Sequence, residues 1–382
     1  MAKPALKTVH GQPSYQVKSS TVDAHVTRQA GMLGPVTFTV GKKKIQPFSI
    51  APWAENGEKI DRGLPQLLHA LRGDFFCLPF GGNDNPWKDQ QHPPHGDTAN
   101  YKWTSPDISS AGKTHELSMR MTLKSMPGSV RKTIRLIDGH SAIYQEHEVC
   151  GVSGTIATGH HAMLKLPSLP GSGIISTSPF VHAQVLPMPF ENPEIGGYST
   201  LKPDGPFSSL AKVPMLDGSM TDISHYPARL GFDDLVMLVA DDSLPFAWTA
   251  VTMPEEGLIY FALRNPRQLR STILWMSNAG RHYHPWNGRH HSVLGIEDVS
   301  AYYHIGQAES AKSNPLKRKG FPTGIKYSAK TPTRIPYIMG VCSAPKGFGK
   351  VADIKPETGS RIKLKSTNGK TITTRLNLGH LA

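Results

Sequence analysis

Cysteine is scarce in this sequence, and no paired spacing relates Cys77, Cys150 and Cys342. A disulfide framework or a structural zinc site needs such pairs, so neither is expected, and a reducing compartment fits best. Long apolar runs are also missing. No stretch behind Met1 has the apolar length of a signal peptide, and no later segment could span a bilayer. We therefore expect a soluble, cytoplasmic protein with no membrane partner.

Motifs for nucleotides and calcium are missing as well. The sequence contains no GxGxxG, no P-loop and no DxDxDG loop, and it shows no repeat of fixed period. Helical periodicity is weak, with its best candidate at residues 64–71, whereas 36 Gly and 32 Pro indicate many turns. The sequence therefore shows no motif that requires a cofactor, and we expect no cofactor.

The net charge of +13 comes from the last fifth of the chain. Residues 310–382 contain 15 Lys and Arg against 2 acidic residues, whereas the remainder holds 27 of each kind. The run SRIKLKSTNGK predicts a hairpin with Lys363 and Lys365 on one polar face and a turn at Asn368-Gly369. Lysines protect exposed edge strands, and aromatic stacking partners are few in this region, so we expect no nucleic-acid partner.

Alternation of apolar and polar residues with period two dominates the middle of the chain. It predicts strands over residues 114–124, 131–138 and 142–150, the last two joined at Asp138-Gly139 in an antiparallel meander. Turn residues separate these strands at the spacing of β-sandwiches, so the sequence predicts an all-β protein. Further strands are predicted over residues 36–40, 236–240, 246–251, 258–264 and 272–276.

Four short stretches in a fixed order carry side chains suited to acid–base chemistry. They are LRGDFFCLPFGG with Arg72, HPPHG with His95, GHHAMLKL with His160 and His161, and LGIED with Glu297. Histidine titrates nearest neutrality, and a carboxylate can act as its proton-transfer partner. Two separated histidines and a late glutamate therefore predict an acid–base pocket for a neutral polyol.

The order and spacing of PFGG, HPPHG, HHAMLKL and GIEDVSAYY resemble the aldose 1-epimerase, or galactose mutarotase-like, superfamily. The similarity runs from about Val22 to beyond Tyr303. It implies a β-supersandwich of antiparallel sheets, expected here as a single domain over residues 22–382. Residues 1–21 would be an N-terminal extension, and residues from about 310 to 382 would carry the lysine-rich hairpin.

The resemblance also implies roles for individual residues. Glu297 matches the family's late glutamate and is expected to be the base that takes the O1 proton of a sugar. His161 matches the central histidine and is expected to be the acid that protonates the ring oxygen, a role that His95 could share. Arg72 resembles the family's substrate-binding arginine. Positioned acids and bases of this kind contribute about 10²–10⁴-fold to a rate.

Other substrate-binding side chains are expected around this centre. Trp103 or Trp286 would stack on the apolar face of the sugar. The histidine-rich run RHYHPWNGRHH would add His284, and His160 stands beside the central histidine. The His-x-His in this run resembles some metal sites, but Asn-Gly stands where a cupin-like site needs its carboxylate. We therefore expect no metal.

Structural roles and other functions stay open from the residues alone. Glu297 could form an ordinary ion pair with Arg289, and in a strand one of the two adjacent histidines, 160 and 161, must face away from the other. The same pocket could bind carbohydrate without turnover, or act as a lyase or hydrolase on a modified sugar. Glycosidases usually need two facing carboxylates, which weakens the hydrolase alternative. In each case the expected partner is a small-molecule carbohydrate.

Overall fold

The computed structural model describes residues 4–382, in which antiparallel strands dominate. The helices are short: α1 (Pro52–Glu55), α2 (Gln66–Ala70), α3 (Gln307–Ala311) and α4 (Pro315–Arg318), with 3₁₀ turns at Asp97–Ala99, Pro193–Ile195 and Leu378–Leu381. The strands are β1 (Lys7–Val9), β2 (Gln12–Lys18), β3 (Val22–Thr27), β4 (Leu33–Val40), β5 (Lys43–Ile45), β6 (Asp74–Cys77), β7 (Thr104–Ala111), β8 (Thr114–Thr122), β9 (Ser129–Ile137), β10 (Ala142–Cys150), β11 (Gly154–Ile156), β12 (Thr158–Lys165), β13 (Gly173–Thr177), β14 (Phe180–Val185), β15 (Val213–Pro214), β16 (Met220–Thr221), β17 (His225–Tyr226), β18 (Phe232–Ala240), β19 (Ala247–Met253), β20 (Leu258–Arg264), β21 (Ser271–Asn278), β22 (Val293–Ser300), β23 (Ile325–Tyr327), β24 (Thr333–Ser343), β25 (Val351–Glu357), β26 (Arg361–Ser366) and β27 (Thr371–Arg375).

Two large antiparallel sheets form the centre of the molecule. The first has eleven strands, in the order β1-β2-β3-β4-β6-β12-β22-β21-β18-β14, with β5 paired to β4. The second has nine, in the order β17-β13-β19-β20-β24-β10-β9-β8-β7. Strands β8, β9 and β10 are neighbours in the second sheet, as the predicted meander requires. The all-β prediction is therefore confirmed.

Alternate residues of a strand face opposite sides of its sheet, so a sheet can bury apolar side chains on both faces. Three apolar layers form in this way. The largest layer lies between the two sheets and includes Phe76 and Ile134. On the outer face of the first sheet, α1, α2 and long loops cover a second layer that contains Phe75 and Trp275. The third layer joins the second sheet to the C-terminal strands through residues such as Leu364. Each fully buried side chain of this size stabilises the fold by about 1.5–3 kcal/mol.

Both ends of the chain differ from the sequence-based expectation. Residues 7–18 form β1 and β2, which extend the first sheet through the pairing of β2 with β3, although the sequence predicts an N-terminal extension there. The predicted lysine-rich hairpin is β26-β27, with Lys363 and Lys365 exposed, but β25 joins it as a third strand. No helix within residues 4–382 has the length and apolar character needed to cross a membrane.

Candidate active site

Three adjacent strands of the first sheet carry the centre of the candidate site. Strand β12 lies between β6 and β22, and His161 stands opposite Phe75 in the pairing of β12 with β6. Because side chains alternate, Phe75, His161 and Glu297 face the covered outer layer, and the residues next to them face the second sheet. The imidazole of His161 stacks on the Phe75 ring, with centroids 4.6 Å apart and an interplanar angle of 18°.

The carboxyl group of Glu297 lies beside His161, with 3.4 Å between Oε1 and Nε2. Both side chains are buried, and neither Oε2 of Glu297 nor Nδ1 of His161 has a hydrogen-bond partner in the described part of the chain. The glycine of the LGIED stretch makes room for this arrangement. A Cβ at Gly295 would lie 2.9 Å from Cβ of Trp275 and 3.2 Å from Oε1 of Glu297. The pair is therefore a buried acid–base couple with unused hydrogen-bonding capacity.

Burial dominates the electrostatics of this pair. It raises the pKa of Glu297 from its ordinary value of 4.5 to about 8, and Arg281 offsets only part of that rise. Burial, together with the neighbouring His95 and Arg281, lowers the pKa of His161 well below 6.5. At pH 7 the carboxyl group therefore holds its proton while the imidazole is neutral.

His95 enters the same region from the HPPHG turn. Gly96 has a φ of +74°, and a Cβ there would lie 2.1 Å from the carbonyl oxygen of Leu78, so this turn requires glycine. The rings of His95 and His161 lie 5.0 Å apart, and Nδ1 of His95 is 3.5 Å from Sγ of Cys77. Burial raises the pKa of the Cys77 thiol and lowers the pKa of His95 to about 3. The thiol can thus donate to Nδ1, which leaves the ring proton of His95 on Nε2.

Arg281 brings a cation that the sequence patterns did not reveal. Its Nε lies 2.6 Å from Oε1 of Glu191 and 3.6 Å from Oδ2 of Asp233. The guanidinium carbon lies 4.8 Å from the ring centre of Trp286 and 5.0 Å from that of Trp275. Burial acts against this charge, but the carboxylates outweigh it and raise the pKa of Arg281. The sequence feature that could have drawn attention to Arg281 is its position at the start of the RHYHPWNGRHH run.

These side chains line a cavity of about 220 Å³ on the outer face of the first sheet. His304, which sequence reasoning also missed, lines it from the segment after β22, and burial lowers its pKa to about 4. Trp286, one of the two expected stacking residues, also lines the cavity. Pockets for drug-sized ligands span about 300–1,000 Å³, so this one suits a smaller molecule. Its other walls are apolar: Pro65, Leu67, Leu68, Leu71, Phe75, Pro94, Phe190, Leu235 and Trp275.

Arg72 does not reach the cavity. Its side chain is fully buried, and its three guanidinium nitrogens donate to backbone carbonyl oxygens: Nε to Ala70 at 2.9 Å, Nη1 to Val9 at 2.8 Å and Nη2 to His10 at 2.9 Å. These bonds tie the first hairpin of the chain to the segment before β6. The structure thus gives Arg72 a structural role in place of the predicted substrate contact.

Three other predicted substrate-binding residues also lie outside the cavity. His160 faces the second sheet, because it precedes His161 in the strand, and its Nδ1 lies 3.0 Å from Oδ2 of Asp74. Trp103 is fully buried in the layer between the sheets, where its indole N–H donates to the carbonyl oxygen of Thr98. His284 is exposed on a loop.

The histidines of residues 282–291 do not converge. His282 and His284 are exposed, whereas His290 is buried and has its Nδ1 2.7 Å from Oγ of Ser277. Across residues 4–382, no group of three or more His, Cys, Asp or Glu side chains is arranged to hold a metal ion. The run therefore contributes Arg281 and Trp286 to the site rather than a cluster of imidazoles.

Solved structures share this fold. A galactose mutarotase related enzyme from Lactobacillus acidophilus aligns with a TM-score of 0.54 at 10% sequence identity, covering 87% of this chain and 98% of that one. A protein from Klebsiella pneumoniae, described provisionally as an aldose 1-epimerase, aligns with a TM-score of 0.59 at 13% identity, covering 89% and 83%. No protein-family model matches the sequence, and no curated protein matches it. The chain therefore has a galactose mutarotase-like fold.

Proposed function

We propose that this protein is an aldose 1-epimerase-like isomerase that interconverts the anomers of a small reducing sugar. The observation that carries the proposal is the meeting of His95, His161 and Glu297, from distant segments, in one small cavity. The fold that it shares with a galactose mutarotase related enzyme supports the same reading. Trp275 and Trp286 line the cavity and offer aromatic faces for the apolar side of a sugar ring.

Anomer exchange requires two coordinated proton transfers. O1 loses a proton while the ring oxygen gains one, the bond between C1 and the ring oxygen breaks, and the ring closes again after rotation about C1–C2. Both oxygens are bonded to the same carbon, so a proton donor and a proton acceptor that lie side by side can serve both. Glu297 and His161, with 3.4 Å between their nearest polar atoms, are such a pair.

We assign the two proton-transfer roles in the opposite sense to the sequence-based expectation. Glu297 holds its proton at neutral pH and is the donor to the ring oxygen, whereas His161 is neutral and accepts the O1 proton. Ring opening then leaves a carboxylate beside an imidazolium, and these charges attract each other strongly because both side chains are buried. Ring closure returns both protons. His95, with its proton on Nε2, donates a hydrogen bond to a sugar oxygen.

The hydrolase alternative finds less support in the cavity. Glu297 is the one carboxyl residue among those that line the cavity in the described chain. Asp298 faces the second sheet and pairs with Arg264 at 2.7 Å, and Glu191 is held by Arg281. A second carboxylate facing Glu297, which most glycosidases use, is thus not supplied by these neighbours.

Polarimetry tests the proposal. Fresh solutions of α-D-glucose and α-D-galactose should reach their equilibrium rotation faster with the protein than in buffer. Glu297→Gln keeps the size of the side chain but removes the transferable proton, so it should lower the rate at least about 10²-fold. Glu255→Gln, at an exposed turn between β19 and β20, is the matched control and should keep full activity.

Two outcomes would contradict the proposal. Full activity in Glu297→Gln would remove the assigned proton donor. If the wild-type protein accelerates the mutarotation of no aldose tested, and sugar binding survives in Glu297→Gln, a carbohydrate-binding protein without turnover would be favoured.

A further inference from the structure

The cavity offers a sugar few hydrogen-bond partners. No serine, threonine, asparagine or glutamine stands among the described residues that line it. A fully hydroxylated hexose in ring form carries five hydroxyl groups, each of which donates one hydrogen bond and accepts others. Two of the cavity's polar groups are already engaged with the anomeric centre in the proposed reaction. The polar lining consists of His95, His161, Arg281, Glu297 and His304.

Arg281 adds less to recognition than its charge suggests. Its Nε is bound to Glu191 at 2.6 Å, and Asp233 lies 3.6 Å from the same nitrogen. Tyr283 donates its hydroxyl to the second oxygen of Glu191 at 3.0 Å, which holds that carboxylate in place. Two carboxylates thus compensate one guanidinium, and the histidines of the cavity are neutral. A negatively charged sugar would find no uncompensated positive charge here.

Helix α2 and its C-terminal flank form a hydrocarbon wall, which we call the leucine wall: Leu67, Leu68 and Leu71. Leu67 and Leu71 are buried, and Leu68 is partly exposed. A hydroxyl group turned against this wall loses its water and gains no partner, which costs free energy. A methyl or methoxy group in the same place gains free energy from burial.

We propose that the substrate is a reducing sugar with fewer free hydroxyl groups than a hexose, a deoxy or O-methylated aldose that turns its hydrocarbon group to the leucine wall. The inference rests on the proposed isomerase function and adds the class of its substrate. The free anomeric hydroxyl and the ring oxygen then meet Glu297 and His161. The cavity of about 220 Å³ has room for one such ring.

Matched sugar pairs test this inference. D-Galactose is compared with 6-deoxy-D-galactose, and D-glucose with its 6-deoxy and 3-O-methyl derivatives. Polarimetry gives kcat/KM for each sugar, and quenching of the fluorescence of Trp275 and Trp286, which line the cavity, gives its affinity. For at least one substituted sugar, kcat/KM or the affinity should exceed that of the parent sugar about tenfold, which equals about 1.4 kcal/mol at 25 °C. Equal or lower values for every substituted sugar would overturn the inference and leave the isomerase proposal intact.

A variant of the leucine wall supplies the second arm of the test. Leu68→Asn places a polar group of similar size in the partly exposed part of the wall and should cut the preference for substituted sugars to about threefold or less. Leu169→Asn, at a residue that is 64% exposed, is the control and should keep the preference. An unchanged preference in Leu68→Asn would refute the role of the wall.

The two proposals can fail separately. Tighter binding of substituted sugars without turnover of any sugar would overturn the isomerase function and keep the ligand class. Tighter binding of the parent hexoses would overturn the ligand class alone. Neither turnover nor binding would overturn both.

Discussion

Replacing Glu297 with glutamine should make the protein increasingly stable relative to the wild type as pH rises. In the folded protein the pKa of Glu297 is raised to about 8, whereas in the unfolded chain it returns to its ordinary value of 4.5. Between these values the folded state binds a proton that the unfolded state has released. The free energy of unfolding therefore falls as pH rises across this interval, and the stabilising effect of the bound proton is fully present only below pH 4.5.

The magnitude follows from the size of that interval. Each pH unit inside it costs about 1.4 kcal/mol, so the wild type should lose about 3–4 kcal/mol through this group between pH 5 and pH 8. Glu297→Gln has no proton to bind and escapes this loss. Its other titrating groups are those of the wild type, so the difference between the two proteins isolates residue 297.

Urea unfolding followed by tryptophan fluorescence at pH 5, 6, 7, 8 and 9 measures this difference. The free energy of unfolding of Glu297→Gln minus that of the wild type should rise steadily to about pH 8 and then level off. Glu255→Gln, at its exposed turn, should run parallel to the wild type at every pH. A difference for Glu297→Gln that does not change with pH would refute the reasoning, because the carboxyl group would then titrate alike in both states.

Two further predictions concern turnover and folding. The mutarotation rate should fall as pH rises through about 8, because Glu297 then loses the proton that it donates. A rate that rises through this range would instead indicate that Glu297 acts as the base. Arg72→Met should lower the free energy of unfolding by about 1–3 kcal/mol, because the buried carbonyl group of Ala70 and the part-buried carbonyl groups of Val9 and His10 lose their donor, and should leave KM unchanged. A raised KM with unchanged stability in that variant would indicate that Arg72 binds the substrate.

The sheets were largely predictable from the sequence, and the loops were not. The predicted strands at residues 131–138 and 142–150 lie within two residues of β9 and β10, because alternation with period two reports directly on which face of a strand is buried. His161 and Glu297 could be placed together because both lie in short stretches whose order resembles that of a known family. Arg281 lies in a loop without periodicity, so its place in the histidine-rich run could draw attention to it but could not predict that it folds over Trp275 and Trp286.

The expected substrate contacts of Arg72 and Trp103 were wrong for a different reason. A guanidinium that binds backbone carbonyls and one that binds a ligand look the same in a sequence, and only the closeness of Val9 and His10 in space decides the case for Arg72. Trp103 likewise has the chemistry of a stacking platform, but its indole fills the layer between the sheets. Residue type thus predicts what a side chain can do, and packing decides where it does it.

The division of the site between sheet and loops has a consequence for how this protein can change over generations. His161 and Glu297 are fixed by the hydrogen-bond ladders of β6, β12 and β22, where a slip of one residue would exchange them for His160 and Asp298. Much of the cavity lining comes instead from α2 and from loops, which tolerate substitution more readily. Ligand preference can therefore change without disturbing the pair formed by His161 and Glu297.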